Sequence, residues 1–178
     1  MPRTPEVVDH LPAGASQVEP PATPEEGHHL TVDLVERAMS FIADAKQVAP
    51  DKPFYLHLCP GATHAPHHVP KEWADRYRGR FDDGWDAFRE HTFHPERQLG
   101  VVPADAQLSP HEPDVPEWES LSGDARRLAA RMMEVYAGFL SHTDHHIGRL
   151  LDFLKETGEF DNTLIMVVSD NGRAPRAG

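Results

Sequence analysis

The chain has 178 residues, which is enough for one domain with its own hydrophobic core. Hydrophobic residues make up only 39% of the chain and 17 residues are proline, so we expect long loops between its regular elements. A net charge of −12 is unlike the basic surface of nucleic-acid-binding proteins, and we predict no nucleic-acid partner. The single cysteine, Cys59, rules out an intrachain disulfide.

The N-terminal part of the chain is predicted to be a proline-rich loop or extended segment over residues 1–29. It begins without the apolar stretch of a secretory signal, and the compartment stays open between cytoplasm and periplasm. No apolar run in the sequence reaches about 18 residues, so we expect no membrane span.

A helix followed by a buried strand is predicted next. Thr31 is a suitable N-cap, and five apolar residues after it fall on one face of a helix: Leu34, Ala38, Phe41, Ile42 and Ala45. After Pro53, the nearly continuous apolar run of residues 54–59 predicts a strand that is covered on both faces.

The middle of the chain predicts two helices and a long loop. The helices are expected at residues 70–77 and 85–99, with the second broken or displaced near Pro95. Four further prolines mark a long surface loop between residues 103 and 116, and loops of this length often cover a site.

A second helix–strand unit ends the predicted elements. A helical pattern covers residues 122–155, with Gly138 and Gly148 marking bends or close packing, and the apolar run 163–168 predicts another buried strand. Two such units predict an α/β fold with at least two parallel strands and crossover helices.

Polar residues follow both predicted strands, at the sheet edge where α/β proteins place their chemistry. Asp170 and Asn171 offer a carboxylate and an amide oxygen, which suit calcium or magnesium better than zinc. His64 can donate a hydrogen bond to an anionic ester or protonate a leaving oxygen. From these residues alone, an ordinary Asx turn and a loop-ordering histidine remain alternatives.

Structural roles are predicted for the other polar groups. The adjacent pairs His28-His29, His67-His68 and His145-His146 point apart and make poor zinc sites, and His67 and His68 are expected at the surface. Asp144 is expected to be a buried hydrogen-bonding residue, and Asp82-Asp83 a solvated turn.

A set of ordered motifs closely resembles the sulfatase family, bacterial arylsulfatases in particular, within the alkaline phosphatase superfamily. The motifs are Lys52-Pro53-Phe54-Tyr55-Leu56, Thr63-His64-Ala65-Pro66-His67, Tyr136-Ala137-Gly138-Phe139 with Asp144, Ile147-Gly148-Arg149-Leu150-Leu151, Asp161-Asn162-Thr163 and Ser169-Asp170-Asn171-Gly172. The resemblance covers residues 30–172, which would be a partial catalytic domain. Residues 173–178 do not continue the family pattern.

The resemblance implies a fold, a reaction and a site. The fold would be part of a mixed, mostly parallel sheet sandwiched by helices, alkaline-phosphatase-like and incomplete. The reaction would be metal-dependent hydrolysis of a small-molecule sulfate ester by a formylglycine nucleophile, with calcium as the usual divalent cation. His64 would contact the sulfate or leaving group, and Asp170 and Asn171 would bind the metal.

The sequence departs from the family pattern in several ways, and the family's middle Lys and His donors and its downstream lysine are among the missing groups. The early aspartate pair is absent, and so is the Cys-x-Pro-x-Arg motif that gives formylglycine, since Cys59-Pro60-Gly61 has another order. We therefore expect a central fragment that is inactive alone. The alternatives are a phosphate or phosphonate ester hydrolase of the same superfamily, a non-catalytic remnant or binding module, and a histidine-rich metal protein.

Overall fold

The computed structural model describes residues 11–13, 16–18 and 22–168 of the chain, and these residues are mainly helical. A two-stranded antiparallel hairpin comes first, with Leu11 opposite Val18. Single turns of 3-10 helix lie at Pro24–Glu26, Trp118–Ser120 and Phe160–Asn162. The strands are β1 (Leu11–Ala13) and β2 (Ser16–Val18), and the α-helices are α1 (Leu30–Val48), α2 (Lys71–Asp75), α3 (Gly84–Gln98) and α4 (Gly123–Glu156).

Backbone contacts divide the chain into two compact units. Among the described residues, those up to Ala62 and from Thr143 onward form the first unit, and Thr63–His142 forms the second. Helix α4 contributes residues to both units. Within the described part of the chain, no helix is both long and apolar enough to cross a lipid bilayer.

The predicted parallel sheet is wrong for the part of the chain that the structure describes. Residues 54–59 and 163–168 have no strand partner, and the pairing that the described residues show is the antiparallel β1–β2 hairpin. An apolar, β-branched run favours extended backbone, but a sheet also needs a neighbouring strand to bond each N–H and C=O. Both segments lack that neighbour here, so neither becomes a strand.

The segment 54–59 packs directly on helices instead. Phe54, Leu56 and Leu58 are partly buried against the helical core, whereas Tyr55 is 89% exposed and Cys59 is also exposed. Burial therefore alternates along a run that the sequence predicted to be covered on both faces. The segment has one covered face because helices lie on one side of it only.

The core of the first unit joins α1 to the end of α4. Its buried residues are Val35, Ala38, Ile42, Leu150 and Leu154. The predicted stripe on α1 correctly contained Ala38 and Ile42, but Phe41 is 57% exposed and the buried face is rotated toward Val35. The N-cap is His29, whose Nδ1 accepts the Thr31 N–H at 3.2 Å, so the prediction of Thr31 as N-cap is wrong.

The second unit contains α2, α3 and the first part of α4, each close to its predicted range. Helix α3 continues through Pro95 rather than breaking there. A Cβ added at Gly138 would lie 2.7 Å from the backbone nitrogen of Ala74, so the prediction of close packing is confirmed at this glycine. Gly148 has open space around it and needs no such approach.

Candidate functional site

The loop that carries His64 lies at the start of the second unit. Thr63 Oγ1 donates to the Tyr136 hydroxyl of α4 at 2.9 Å, which ties the loop to the helix next to His64. The His64 side chain is exposed, and its Nδ1 lies 2.6 Å from the carbonyl oxygen of Ala65. The imidazole of His64 is therefore open to solvent and contacts the backbone carbonyl oxygen of the next residue.

The contact to Ala65 determines which ring nitrogen of His64 can meet a substrate. A carbonyl oxygen only accepts, so Nδ1 carries the proton and donates it. Nε2 is then a lone-pair acceptor in the neutral ring and a donor only in the imidazolium. As a result, His64 can contact an anionic ester or protonate a leaving oxygen only in its protonated form.

A second histidine of the same loop is more enclosed than the sequence predicted. The His67 ring lies edge-on to Tyr136, with 5.3 Å between centroids, and 6.3 Å from the ring of Phe139. It is half-buried, so the prediction of a surface position is wrong for His67, whereas His68 is exposed as expected. Tyr136 thus contacts both ends of the Thr63–His67 loop.

The predicted metal ligands Asp170 and Asn171 lie outside the described residues. The segment that leads to them, residues 164–168, is exposed and has no regular secondary structure, with Leu164 at 86% and Val167 at 85%. Across residues 22–168 and the two hairpin strands, no group of three or more His, Cys, Asp or Glu side chains could hold a metal ion.

A buried carboxylate on α4 was not anticipated from the sequence. Glu134 is only 5% exposed, accepts the backbone N–H of Gly79 at 2.8 Å and pairs with Arg131 at 2.7 Å. Burial acts to raise the pKa of Glu134, but the hydrogen bonds from Arg131 and Gly79 outweigh it and leave the pKa lowered. Arg131 also reaches Asp75 of α2 at 3.0 Å, so this cluster joins α2 to α4.

Of the remaining predictions for polar residues, one is confirmed and one is wrong. Asp82 and Asp83 are exposed in a turn, as expected. The expectation of a buried Asp144 is wrong: this residue is exposed, and the neighbouring His142 and Thr143 are buried instead. A helix turns by about 100° per residue, so the neighbours Thr143 and Asp144 can lie on the buried and the exposed side of α4.

The sequence of the chain matches a known family model almost throughout. The model described as Sulfatase matches residues 4–177. The chain belongs to the sulfatase family. This confirms the family that the ordered motifs indicated.

Curated relatives of this sulfatase sequence agree with that assignment. An uncharacterised sulfatase of Schizosaccharomyces pombe is 35% identical over 136 residues, covering 76% of this chain and 24% of the relative. An arylsulfatase of Klebsiella aerogenes is 32% identical over 133 residues, covering 75% and 28%. A multifunctional alkaline phosphatase superfamily protein of Trinickia caryophylli is 26% identical over 168 residues, covering 92% and 31%. The chain therefore spans about a quarter to a third of the length of these relatives.

Two contacts to the Thr63–His67 loop, those of Tyr136 and Phe139, were not predicted from the sequence, although a signal for them existed. Tyr136 and Phe139 belong to one of the motifs that carry the resemblance, and they lie three residues apart, on one face of a helix. Both contact the Thr63–His67 loop in the structure. Glu134 gave no such signal, because an isolated glutamate in a charged helix has the appearance of a solvated residue.

Proposed function

We propose that this chain is part of an arylsulfatase-type enzyme that hydrolyses sulfate esters of small molecules. The observation that carries the proposal is the family match over residues 4–177, together with arylsulfatase relatives such as that of Klebsiella aerogenes. In this proposal the exposed imidazole of His64 contacts the sulfate or the leaving oxygen. A protonated Nε2 would donate to the ester and stabilise the charge that develops on the departing oxygen.

Asp170 and Asn171 are proposed as ligands of a divalent cation, with calcium favoured by the chemistry of the donors. A carboxylate and an amide oxygen fit a hard cation, but calcium takes six to eight oxygens, so further ligands have to join these two. Bound calcium would neutralise charge on the sulfuryl group and lower the pKa of a hydroxyl nucleophile. This sequence has no Cys-x-Pro-x-Arg motif, and we propose that the 178 residues alone do not turn over substrate.

The first experiment is to sequence the DNA on both sides of this reading frame. An in-frame aspartate pair and Cys-x-Pro-x-Arg upstream, with a lysine downstream, would support a working sulfatase of which these residues are the middle. Unrelated sequence or stop codons would support a non-catalytic remnant. The isolated chain should meanwhile give no product from an aryl sulfate in the presence of calcium, and turnover would contradict its proposed dependence on another segment.

A full-length form then allows the site residues to be tested in pairs. His64→Gln should lower kcat for an aryl sulfate by about 10²–10⁴-fold, the usual contribution of a proton-transfer group. His67→Gln is the matched control on the same loop, and a larger loss there would transfer the role to His67.

Asp170→Ala with Asn171→Ala should abolish calcium dependence and activity. The control is Asp161→Ala with Asn162→Ala, an exposed Asp-Asn pair in the same chain.

A phosphate or phosphonate ester hydrolase is the second candidate. The match to the multifunctional alkaline phosphatase superfamily protein of Trinickia caryophylli covers 92% of this chain, more than the arylsulfatase match does, although at lower identity. Paired assays of a full-length form on an aryl sulfate and the corresponding aryl phosphate separate the two. A higher kcat/KM for the phosphate would replace the first proposal with the second.

A further inference from the structure

The proline-rich loop after α3 is attached to the start of that helix through one histidine. We call residues 101–117 the proline-rich loop. His111, within the loop, places Nδ1 2.9 Å from Asp86 Oδ1 of α3, and its Nε2 lies 2.6 Å from the carbonyl oxygen of Val115. The two ring nitrogens therefore face one oxygen acceptor each, a carboxylate oxygen and a backbone carbonyl oxygen.

Only the protonated ring can make both contacts. A neutral imidazole has one N–H and one lone pair, so one of its nitrogens would face an oxygen lone pair across a hydrogen-bond distance. The imidazolium donates from both nitrogens, and the donation to the Asp86 carboxylate is charge-assisted. The geometry thus requires the positive form of His111.

The same carboxylate holds the end of the proline-rich loop independently of His111. The second oxygen of Asp86 accepts the backbone N–H of Trp118 at 3.2 Å. Trp118 is 5% exposed, packs edge-on against Trp85 with 4.9 Å between centroids, and lies against Gly84, where an added Cβ would be 2.2 Å from its ring. Trp118 is therefore held by contacts that do not involve His111.

A second contact holds the middle of the loop. Arg89, one turn after Asp86 on α3, donates to the Ser109 carbonyl oxygen at 2.7 Å and to its hydroxyl at 2.9 Å. Arg89 and Asp86 are the charged α3 groups that act on His111, and Glu112 and Asp114 flank it in sequence as exposed carboxylates. The attraction of Asp86 opposes the repulsion of Arg89.

We propose that His111 is a pH-sensitive latch, which in its protonated form closes the proline-rich loop on α3 and on losing its proton lets residues 111–115 move away. The Val115 carbonyl is the largest cause that raises the pKa of His111, followed by Asp86, while burial and Arg89 act to lower it. The contribution to closure is complete below the pKa of the open form. It is lost as the pH rises through the raised pKa of the closed form.

The first test is a direct titration of the histidine rings in the isolated chain by NMR between pH 5 and 9. His111 is assigned by its absence in His111→Gln, and His91, an exposed histidine on α3, is the site of the control variant. We expect His111 to titrate above the ordinary histidine value of about 6.5, and Asp86→Asn to bring its pKa down toward that value. A pKa of His111 at or below about 6.5 would overturn the latch.

The second test measures loop opening by amide hydrogen exchange of a peptide that covers residues 106–118. The ratio of wild-type to His111→Gln protection removes the intrinsic effect of pH on exchange. We expect this ratio to fall by about tenfold for each unit by which the His111 pKa is raised, across the pH range in which His111 titrates. The His91→Gln variant should follow the wild type.

One outcome of the exchange test would overturn the proposal. A ratio that stays constant while His111 titrates would show that its charge does not hold the loop, which overturns the proposal. If His111→Gln does not fold, the His111 signal is assigned through its backbone resonances instead, and the wild-type titration and the Asp86→Asn variant still decide it. The test needs no sulfatase activity, so failure of the proposed function leaves it intact.

Discussion

The two units of the chain are stabilised by different kinds of contact. The first unit has an apolar cluster in which Val35 is 1% exposed and Leu154 is 4% exposed. The second unit has polar contacts across long sequence separations, namely Thr63 with Tyr136, Tyr77 with Ser141, and the backbone N–H of Gly79 with Glu134. Apolar burial tolerates small changes of geometry, whereas each polar contact depends on the identity of two groups.

The two units also differ in the protonation of one histidine each, His146 in the first unit and His111 in the second. Arg149 donates to His146 Nδ1 at 3.0 Å and to Glu36 of α1 at 3.2 Å. A guanidinium cannot accept a hydrogen bond, so this nitrogen of His146 has to be unprotonated, whereas His111 needs protons on both nitrogens. The charge of each histidine follows from whether its ring faces a donor or acceptors. The sequence position alone gives no indication of this.

The largest predicted effect is a cavity in the apolar cluster of the first unit. Leu150→Ala should lower the free energy of unfolding by about 2–5 kcal/mol, because buried leucine loses both transfer free energy and packing. Urea unfolding followed by circular dichroism measures it. Leu128→Ala on the same helix is the control, because Leu128 is 64% exposed and should change stability by less than about 0.5 kcal/mol. Equal losses for the two variants would contradict the assigned core.

Alanine at two glycines of α4 should have opposite effects in the two units. Gly138→Ala places a methyl group against the backbone of Trp73 and Ala74 and should cost about 1–3 kcal/mol. Gly148→Ala meets open space and should stabilise the helix by about 0.5–1 kcal/mol, because alanine loses less backbone entropy. Thermal unfolding of both variants checks the signs. A stabilising Gly138→Ala would mean that α2 does not pack this closely.

The buried carboxylate of the second unit predicts a comparable loss from a polar change. Glu134→Ala removes the acceptor of Gly79 N–H and the partner of Arg131, and should cost about 1–3 kcal/mol. Glu134→Gln keeps an acceptor for Gly79 and should cost less. Glu36→Gln, at the 54% exposed carboxylate that pairs with Arg149, should change stability by less than about 0.5 kcal/mol. The three urea midpoints test whether burial decides the effect.

The smallest predicted effect is a pH dependence of the first unit. Burial is the main cause that lowers the pKa of His146, with Arg149, His145 and His29 adding to it and Glu36 opposing it. Its contribution to stability is complete above the unfolded value of about 6.5 and is lost as the pH falls from there through the lowered pKa. Between pH 7.5 and 5.5, the urea midpoint of the wild type should fall more than that of His146→Gln. An unchanged difference would show that His146 is not held neutral.

The ranges of the long helices were predicted well from the sequence. Helices α3 and α4 lie within a residue or so of their predicted ranges, because helical spacing and capping residues act over a few neighbours along the chain. The buried face of α1 was predicted less well, with Phe41 exposed and Val35 buried. Which stripe of an apolar helix is covered depends on the partner that packs against it.

The candidate site was predicted only in part, for a similar reason. His64 lies on an exposed loop that is tied to α4 through Thr63 and Tyr136, but the enclosure of His67 by Tyr136 and Phe139 required contacts about 70 residues apart in sequence. Asp170 and Asn171 lie beyond the described residues, so their role as metal ligands stays a prediction.

The sequence by itself determined the sulfatase family and the positions of the long helices, because ordered motifs and helical periodicity are properties of the chain. Only the tertiary structure decided that residues 54–58 pack on helices without strand pairing, that Glu134 is buried beside Arg131, and that His111 needs a protonated ring and His146 a neutral one. The physical reason is shared by all of these features. Strand pairing, burial and protonation depend on groups that come from distant parts of the chain, and the sequence does not state which groups will meet.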